Sequence, residues 1–393
     1  MTHKIVMLLS NAFRPDPRVL KEAESLTQAG YDITIICWDR LVELPEEEIL
    51  PSRVRIIRVQ TIQSSYGLGI SQMFALHRFW RAAMHILDQL HPDFVHCHDF
   101  DTLPAGLSWG KRHHIPVVYD AHEYYADLVK PRLGRLFGWP IYMVIRWAEK
   151  LASGMSNAVV TVDKVLAERY SQRNHQVLIL GHYPQKQLAD RPNHVFSRQE
   201  LTMLYAGRIS TDRGALLYIE VLRYLRDLDI PAELVLAGTF TPSSEEDQFK
   251  KNLRGLEPYV DYLGWIPYQI MQSVYHTADL GFSILLPVPR YVAALPVKLF
   301  EYMASGLPVV ASNFPSITSI IKDTNCGIVV DPSSHPSVIA QSIARWWSEP
   351  AIPRALGENG RHAIRVKYNW ESQVSKLPDL YDQIRTGRKQ SNL

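Results

Sequence analysis

Little in the sequence marks a secreted, fibrous or membrane-spanning chain. Its 393 residues hold three cysteines, Cys37, Cys97 and Cys326, odd in number and far apart. That excludes a disulfide scaffold and fits a reducing compartment. No run approaches 18 consecutive apolar residues, so no membrane-spanning helix is expected. The run Ile5–Leu9 is too short for a signal-peptide core and reads as a first strand. Charge of one sign is also missing. The 42 Lys and Arg nearly cancel 40 Asp and Glu, leaving +2, and a division after Asp190 leaves each half nearly neutral. Nucleic acid is therefore not an expected partner. The 46% hydrophobic content is enough for a large core, and the length suggests two or three domains.

Short β-rich runs alternate with helical patterns along the whole chain. The first series is Lys4–Leu9, Asp32–Cys37, Val54–Val59, Asp93–His98, Pro116–Asp120, Ala158–Val162 and Val177–Leu180. Several are apolar on both faces, as buried parallel strands are. Asp16 suits the N-cap of the first helix, Pro17 its first position and Gly30 its stop. Tyr183–Glu200, polar and containing Pro184 and Pro192, reads as a linker. A second series follows: Thr202–Ala206, Glu233–Ala237, Tyr259–Leu263, Leu280–Leu285, Pro308–Ala311 and Gly327–Val330. Two doubly wound α/β domains are predicted, with ligands beyond the carboxyl ends of the strands. Sheets facing each other would enclose a cleft.

Several motifs are excluded. The first strand–helix turn, Ser10 to Asp16, contains no glycine, so it is no dinucleotide fingerprint. Gly106-Leu107-Ser108-Trp109-Gly110 spells a hydrolase elbow, but Ser108 lies inside a helical pattern rather than on a turn after a strand. His96 and His98 share a strand face, yet no third metal ligand is specified. Asp99-x-Asp101 and Asp227-x-Asp229 read as structural.

Two segments of the second half are specific. In Leu204-Tyr205-Ala206-Gly207-Arg208-Ile209-Ser210-Thr211-Asp212-Arg213-Gly214 a strand ends, glycine turns the chain and two arginines precede a helix. Arginine presents a planar fork of donors to phosphate oxygens, and a helix N-terminus favours anions. In Leu295-Pro296-Val297-Lys298-Leu299-Phe300-Glu301-Tyr302-Met303-Ala304-Ser305-Gly306, Lys298 and Glu301 share a helix face. A cation there suits phosphate, and a carboxylate suits the paired hydroxyls of a ribose.

Together these segments resemble the GT-B glycosyltransferases, in particular the retaining family four, over nearly the whole chain. The resemblance implies two Rossmann-like parallel-sheet domains facing across a cleft. Residues 1–188 would form the acceptor-side domain and 189–368 the nucleotide-sugar domain. Residues 369–393 would return as a helix to the first domain. The family's Gly-Arg-x(4)-Lys-Gly segment falls at Gly207–Gly214, with Arg213 in place of lysine. Gly207, Arg208, Arg213, Lys298 and the backbone at Leu295, Pro296 and Val297 are then expected at the donor diphosphate, and Glu301 at the ribose. The first glutamate of the family's pair is replaced by Ala293. Gly264, Trp265 and Ile266 match the segment that lines the nucleobase. On the acceptor side, Asp16-Pro17-Arg18-Val19, His96-Cys97-His98-Asp99 and Asp120-Ala121-His122-Glu123 resemble one branch. There, Asn11, Arg14, Asp16 and Asp99 line the loop, and His122 meets the donor sugar.

The implied activity is sugar transfer from a nucleotide diphosphate sugar to a glycan or lipid-linked acceptor. Retention of configuration and catalysis by His122, Arg208 and Arg213 are expected, without a metal or other cofactor. A GT-B sugar-nucleotide epimerase and a non-catalytic sugar-nucleotide-binding subunit share the motifs. A basic stretch free of acids (Arg53, Arg55, Arg58, Arg78, Arg81) and a basic, aromatic one (Lys130, Arg132, Arg135, Phe137, Trp139, Arg146, Trp147) suggest an anionic membrane surface. The expected location is the cytoplasm, at the inner face of the cytoplasmic membrane.

Overall fold

The computed structural model describes residues 2–14, 16–64, 70–129, 138–190, 200–292 and 294–387. Ala293 and the Lys130, Arg132, Arg135 and Phe137 of the second basic stretch lie outside these residues. Among the described residues, no helix is long and apolar enough to cross a membrane.

The chain divides into two compact units, Met1–His182 with Gln373–Leu393, and Tyr183–Ser372. The first carries an eight-stranded sheet: β1 (Lys4–Leu9), β2 (Asp32–Trp38), β3 (Glu47–Ile49), β4 (Arg55–Val59), β5 (Phe94–His98), β6 (Val117–Ala121), β7 (Ala158–Thr161) and β8 (Val177–Ile179). Its order is β3-β4-β2-β1-β5-β6-β7-β8. All pairings are parallel except β3 with β4. The reason is visible in the residues: β5, β6 and β7 are buried at every position, as central strands covered on both faces must be. Trp38 stacks on Phe79 at 5.1 Å, tying the sheet to the helix Ile70–Leu90. Burying such a ring contributes roughly 1.5–3 kcal/mol.

The first helix, Pro17–Gln28, is built as its sequence predicts. Asp16 accepts a hydrogen bond from Arg18 N at 3.1 Å, Pro17 opens the helix, and Gly30 leaves it at φ +94°. The helix Lys376–Thr386 packs against it within the same unit: Tyr381 meets Tyr31 and Phe94, with ring centroids 5.7 and 5.1 Å away.

The second unit holds six parallel strands: β9 (Leu201–Ala206), β10 (Ala232–Ala237), β11 (Val260–Gly264), β12 (Leu280–Ser283), β13 (Val309–Ser312) and β14 (Gly327–Val330). Their order is β11-β10-β9-β12-β13-β14. Tyr218, from the helix Ala215–Asp227, stacks on Phe282 at 4.5 Å in the core.

Four expectations need correction. Residues 183–188 belong to the second unit, because Tyr183 packs edge-on against Phe300 and Tyr368. Strand β3 is an acidic three-residue edge that hydrophobic patterning does not reveal. It has a consequence for charge: Glu47 pairs with Arg55 at 2.8 Å and Glu48 with buried Arg58 at 2.7 Å. Two of the five cations expected in the basic stretch are thus neutralised. Finally, β12 ends at Ser283, since Leu285 N donates to the Ser312 side chain.

Candidate functional site

In the second unit, the predicted donor residues gather at the carboxyl ends of β9, β10 and β11. Gly207 N donates to Ala237 O and Gly238 N to Gly264 O, each at 2.7 Å. A side chain at Gly238 is impossible, because a Cβ there would lie 1.8 Å from Gly207 O. Gly207 itself has φ +115°. The short loop after it carries Arg208 and Arg213, and Tyr291 joins the two. Its hydroxyl accepts from Arg208 Nη2 at 3.2 Å and Arg213 Nε at 3.1 Å, and donates to Asp212 Oδ2 at 3.2 Å.

Lys298 lies beneath this loop, not on the surface. Nζ sits 3.5 Å from the centre of the Tyr205 ring and 3.5 Å from where a Cβ on Gly207 would stand. It is buried and has no hydrogen-bond partner among the described residues. Burial, then the Arg213 and Arg208 charges, holds its pKa well below the usual lysine value, with Glu301 opposing. Glu301 Oε2 accepts from Tyr275 OH at 2.9 Å, which orients the carboxylate. Leu295, Pro296 and Val297 lead into the helix Val297–Ser305, whose Pro296 cap leaves backbone amides without a side-chain cap. Gly264 turns at φ +68°, Trp265 is 71% exposed, and Ile266 packs into the core. An exposed indole at this edge offers a flat face for a base.

In the first unit the carboxyl ends of β5, β6 and β8 bring imidazoles together. His98 Nδ1 lies 2.9 Å and His122 Nε2 3.2 Å from Asp120 Oδ2. His122 Nδ1 is hydrogen-bonded to His182 Nε2 at 3.0 Å, and His96 Nδ1 to Tyr381 OH at 2.7 Å. Burial would raise the Asp120 pKa, but the surrounding imidazoles outweigh it and hold the carboxyl well below the usual range. Burial pushes His122 down to about 3 and His96 to about 4, so both are neutral near pH 7. Burial and the Asp120 carboxylate push Glu22 well up.

Glu22, His96, His98 and Asp120 bring possible ligand atoms within 4.8 Å of one another. Glu22 Oε2, His96 Nε2, His98 Nε2 and Asp120 Oδ2 are buried without a hydrogen-bond partner among the described residues. The His96 and His98 rings are stacked at 4.5 Å and 21°.

The acceptor-loop residues are spoken for locally. Asn11 accepts from Phe13 N at 2.8 Å, Arg14 pairs with Glu43, and Asp16 pairs with Arg18 at 2.8 Å. Asp99 has φ +62°, and burial and Asp101 push its carboxyl well up. Ser108 is inside the helix Leu103–His113, as expected. Asp227 closes its helix.

Sequence reasoning missed Tyr291, Tyr205, Tyr275, Asp120 and His182 as site residues. His182 had a signal: it follows a strand end, as His98 and His122 do.

Residues 186–363 match the family described as Glycosyl transferases group 1, and residues 18–176 match Glycosyltransferase Family 4. The fold agrees: sucrose-phosphate synthase from Thermosynechococcus elongatus superposes with a TM-score of 0.78 at 19% identity, over 98% of this chain and 100% of that one. The two family models together cover most of the chain, which has the GT-B fold and resembles the glycosyltransferases of family 4. Among curated proteins, an alpha-D-kanosaminyltransferase of Streptomyces kanamyceticus is 28% identical over 46% of this chain and 45% of its own. The match thus spans about half the length of that curated relative. A GDP-mannose-dependent alpha-(1-6)-phosphatidylinositol dimannoside mannosyltransferase of Mycobacterium tuberculosis is 25% identical over 74% of each chain.

Proposed function

We propose that this GT-B protein moves a sugar from a nucleoside diphosphate sugar to a hydroxyl of a glycan or lipid-linked acceptor, with retention and without a bound metal. The observation that carries the reading is the grouping of Arg208, Arg213 and Lys298 at one strand edge, with Glu301 close by. Three cations match a diphosphate, and the carboxylate matches ribose hydroxyls. The named dependence of the mycobacterial relative on GDP-mannose supports a nucleotide-sugar donor.

In the proposed step the bond between the anomeric carbon and the phosphate oxygen breaks as the acceptor oxygen bonds to that carbon on the same face. The acceptor proton passes to the departing phosphate oxygen. Arg208, Arg213 and Lys298 stabilise the charge that develops on the diphosphate. Since these side chains carry that charge, treatment with EDTA is expected to leave turnover unchanged.

The acceptor is proposed to lie at an anionic bilayer. The helix Gly138–Met155 turns Trp139 (70% exposed), Val144 (64%) and Trp147 (64%) to solvent. Arg146 is exposed beside them. The sole acid of that helix, Glu149, is buried and hydrogen-bonded to Tyr119 and Tyr170. Outward indoles flanked by a cation suit the headgroup region. The binding is expected to appear as flotation with vesicles containing phosphatidylglycerol, and to weaken with salt.

Product analysis tests the activity. Incubation with a panel of UDP- and GDP-sugars plus membrane extract is expected to release nucleoside diphosphate and give a glycosylated product. Release of an isomerised sugar nucleotide would instead establish an epimerase. Binding without turnover of any kind would establish a non-catalytic subunit.

A further inference from the structure

The first unit gathers four donor side chains that neither the proposed transfer step nor local hydrogen bonding uses in full. Glu22 comes from the helix Pro17–Gln28, His96 and His98 from β5, and Asp120 from β6. Sequence spacing pointed only to the two histidines; the fold adds the two carboxyl groups. All four side chains are buried, and each brings a donor atom within 4.8 Å of the other three. Glu22 Oε2, His96 Nε2, His98 Nε2 and Asp120 Oδ2 have no hydrogen-bond partner among the described residues.

A polar atom taken out of water without a partner is costly, and a carboxylate is the costliest. A proton on Glu22 would bridge only two of the four atoms. One divalent cation can face all four and balance both carboxylates. The spacing is close to what an ion needs. His96 Nε2 lies 3.8 Å from Glu22 Oε2 and 3.7 Å from Asp120 Oδ2. A tetrahedral zinc ion holds neighbouring ligand atoms roughly 3.3–3.6 Å apart. The other nitrogen of His96 also fits: Nδ1 is hydrogen-bonded to Tyr381 OH at 2.7 Å, and metal-binding imidazoles are commonly anchored through their second nitrogen. The His96 and His98 rings are stacked, so one of them turns when the ion binds. A ring stack is weak beside a metal–nitrogen bond.

We propose that Glu22, His96, His98 and Asp120 bind one structural zinc ion that fastens the helix Pro17–Gln28 to β5 and β6. Zinc takes imidazole nitrogen and carboxylate oxygen together in a closed set of four. The buried site is closed to solvent, so the ion enters as the chain folds, and EDTA does not strip it from the folded protein. The cations assigned to the diphosphate belong to the second unit, and the transfer step itself still uses no metal. The zinc site does not rest on the glycosyl-transfer reading.

Elemental mass spectrometry tests it on the full-length protein, produced with zinc in the medium and gel-filtered in EDTA. About one zinc per chain is expected for wild type and for His175→Ala, which changes an exposed histidine. Glu22→Gln and Asp120→Asn keep the side-chain size but remove a ligand charge, and each is expected to hold less than about a tenth of that zinc. Wild type with less than about 0.1 equivalent, or E22Q holding as much zinc as wild type, overturns the proposal. Where a variant fails to fold, wild type produced in cobalt medium decides. It is expected to show the intense visible absorption of four-coordinate cobalt(II), and only the faint spectrum of the hydrated ion overturns the site.

Discussion

Lys298 places function and stability in opposition, and Lys298→Met separates them. The ammonium is buried without a hydrogen-bond acceptor among the described residues, above the Tyr205 ring. Burying an unpaired cation costs several kcal/mol, of which a ring face returns about 2 kcal/mol. Methionine fills a similar volume without the charge. The variant is therefore expected to be more stable by at least about 1 kcal/mol, a rise in Tm of roughly 2–4 °C for a domain of this size. Affinity should move the other way. One charge-assisted hydrogen bond to a phosphate contributes roughly 1.5–3 kcal/mol, so the Kd for UDP or GDP should weaken about 10- to 150-fold.

The sign of the pH dependence follows from the same burial. The folded-state pKa lies below the unfolded value of 10.5, so the native state binds fewer protons between the two. Stability from this group rises with pH across that window. Chemical denaturation at rising pH, up to 10.5, should show wild type gaining stability relative to K298M. A variant that melts lower while binding nucleotide unchanged would refute the reasoning and make Lys298 a structural residue.

Three further outcomes are expected. Tyr291→Phe removes the hydroxyl shared by Arg208 and Arg213; nucleotide affinity measured by titration should fall roughly tenfold, about 1.4 kcal/mol, with the fold intact by circular dichroism. Glu149→Ala strands the Tyr119 and Tyr170 hydroxyls and the Tyr125 and Ala126 amides, and chemical denaturation should show a loss of at least about 2 kcal/mol. Burial raises the Glu149 pKa, so its contribution is full below pH 4.5 and fades as pH rises through the folded value; Glu149→Gln should flatten that dependence. Replacing Trp139 and Trp147 together by serine should abolish flotation with anionic vesicles without lowering Tm, because both side chains are already in solvent.

The sequence made the alternation of strands and helices legible because buried parallel strands are short apolar runs and the first helix carries its own cap and stop. Strand β3 stayed hidden because Glu47 and Glu48 give no apolar pattern; their partners Arg55 and Arg58 define it instead. In the candidate site, Arg208, Arg213 and Glu301 stood in local motifs, and the structure gathers the arginines. Tyr291 and Tyr205 were invisible because they act through approaches set by the fold, not by spacing. Lys298 was legible as a cation but not as a buried one, since its burial depends on Tyr205 of strand β9, far away in the sequence. The imidazole line of the first unit joins residues 60 positions apart, His122 and His182, which no local motif connects.

Equilibrium dialysis against labelled UDP-glucose and GDP-mannose, with wild type and Arg208→Ala side by side, tests the central claim most directly. The account predicts that at least one donor is retained by wild type, in the presence of EDTA, and that R208A retains it at least tenfold more weakly. Retention of neither donor, or equal retention by both proteins, would contradict a diphosphate site at the Gly207–Gly214 loop.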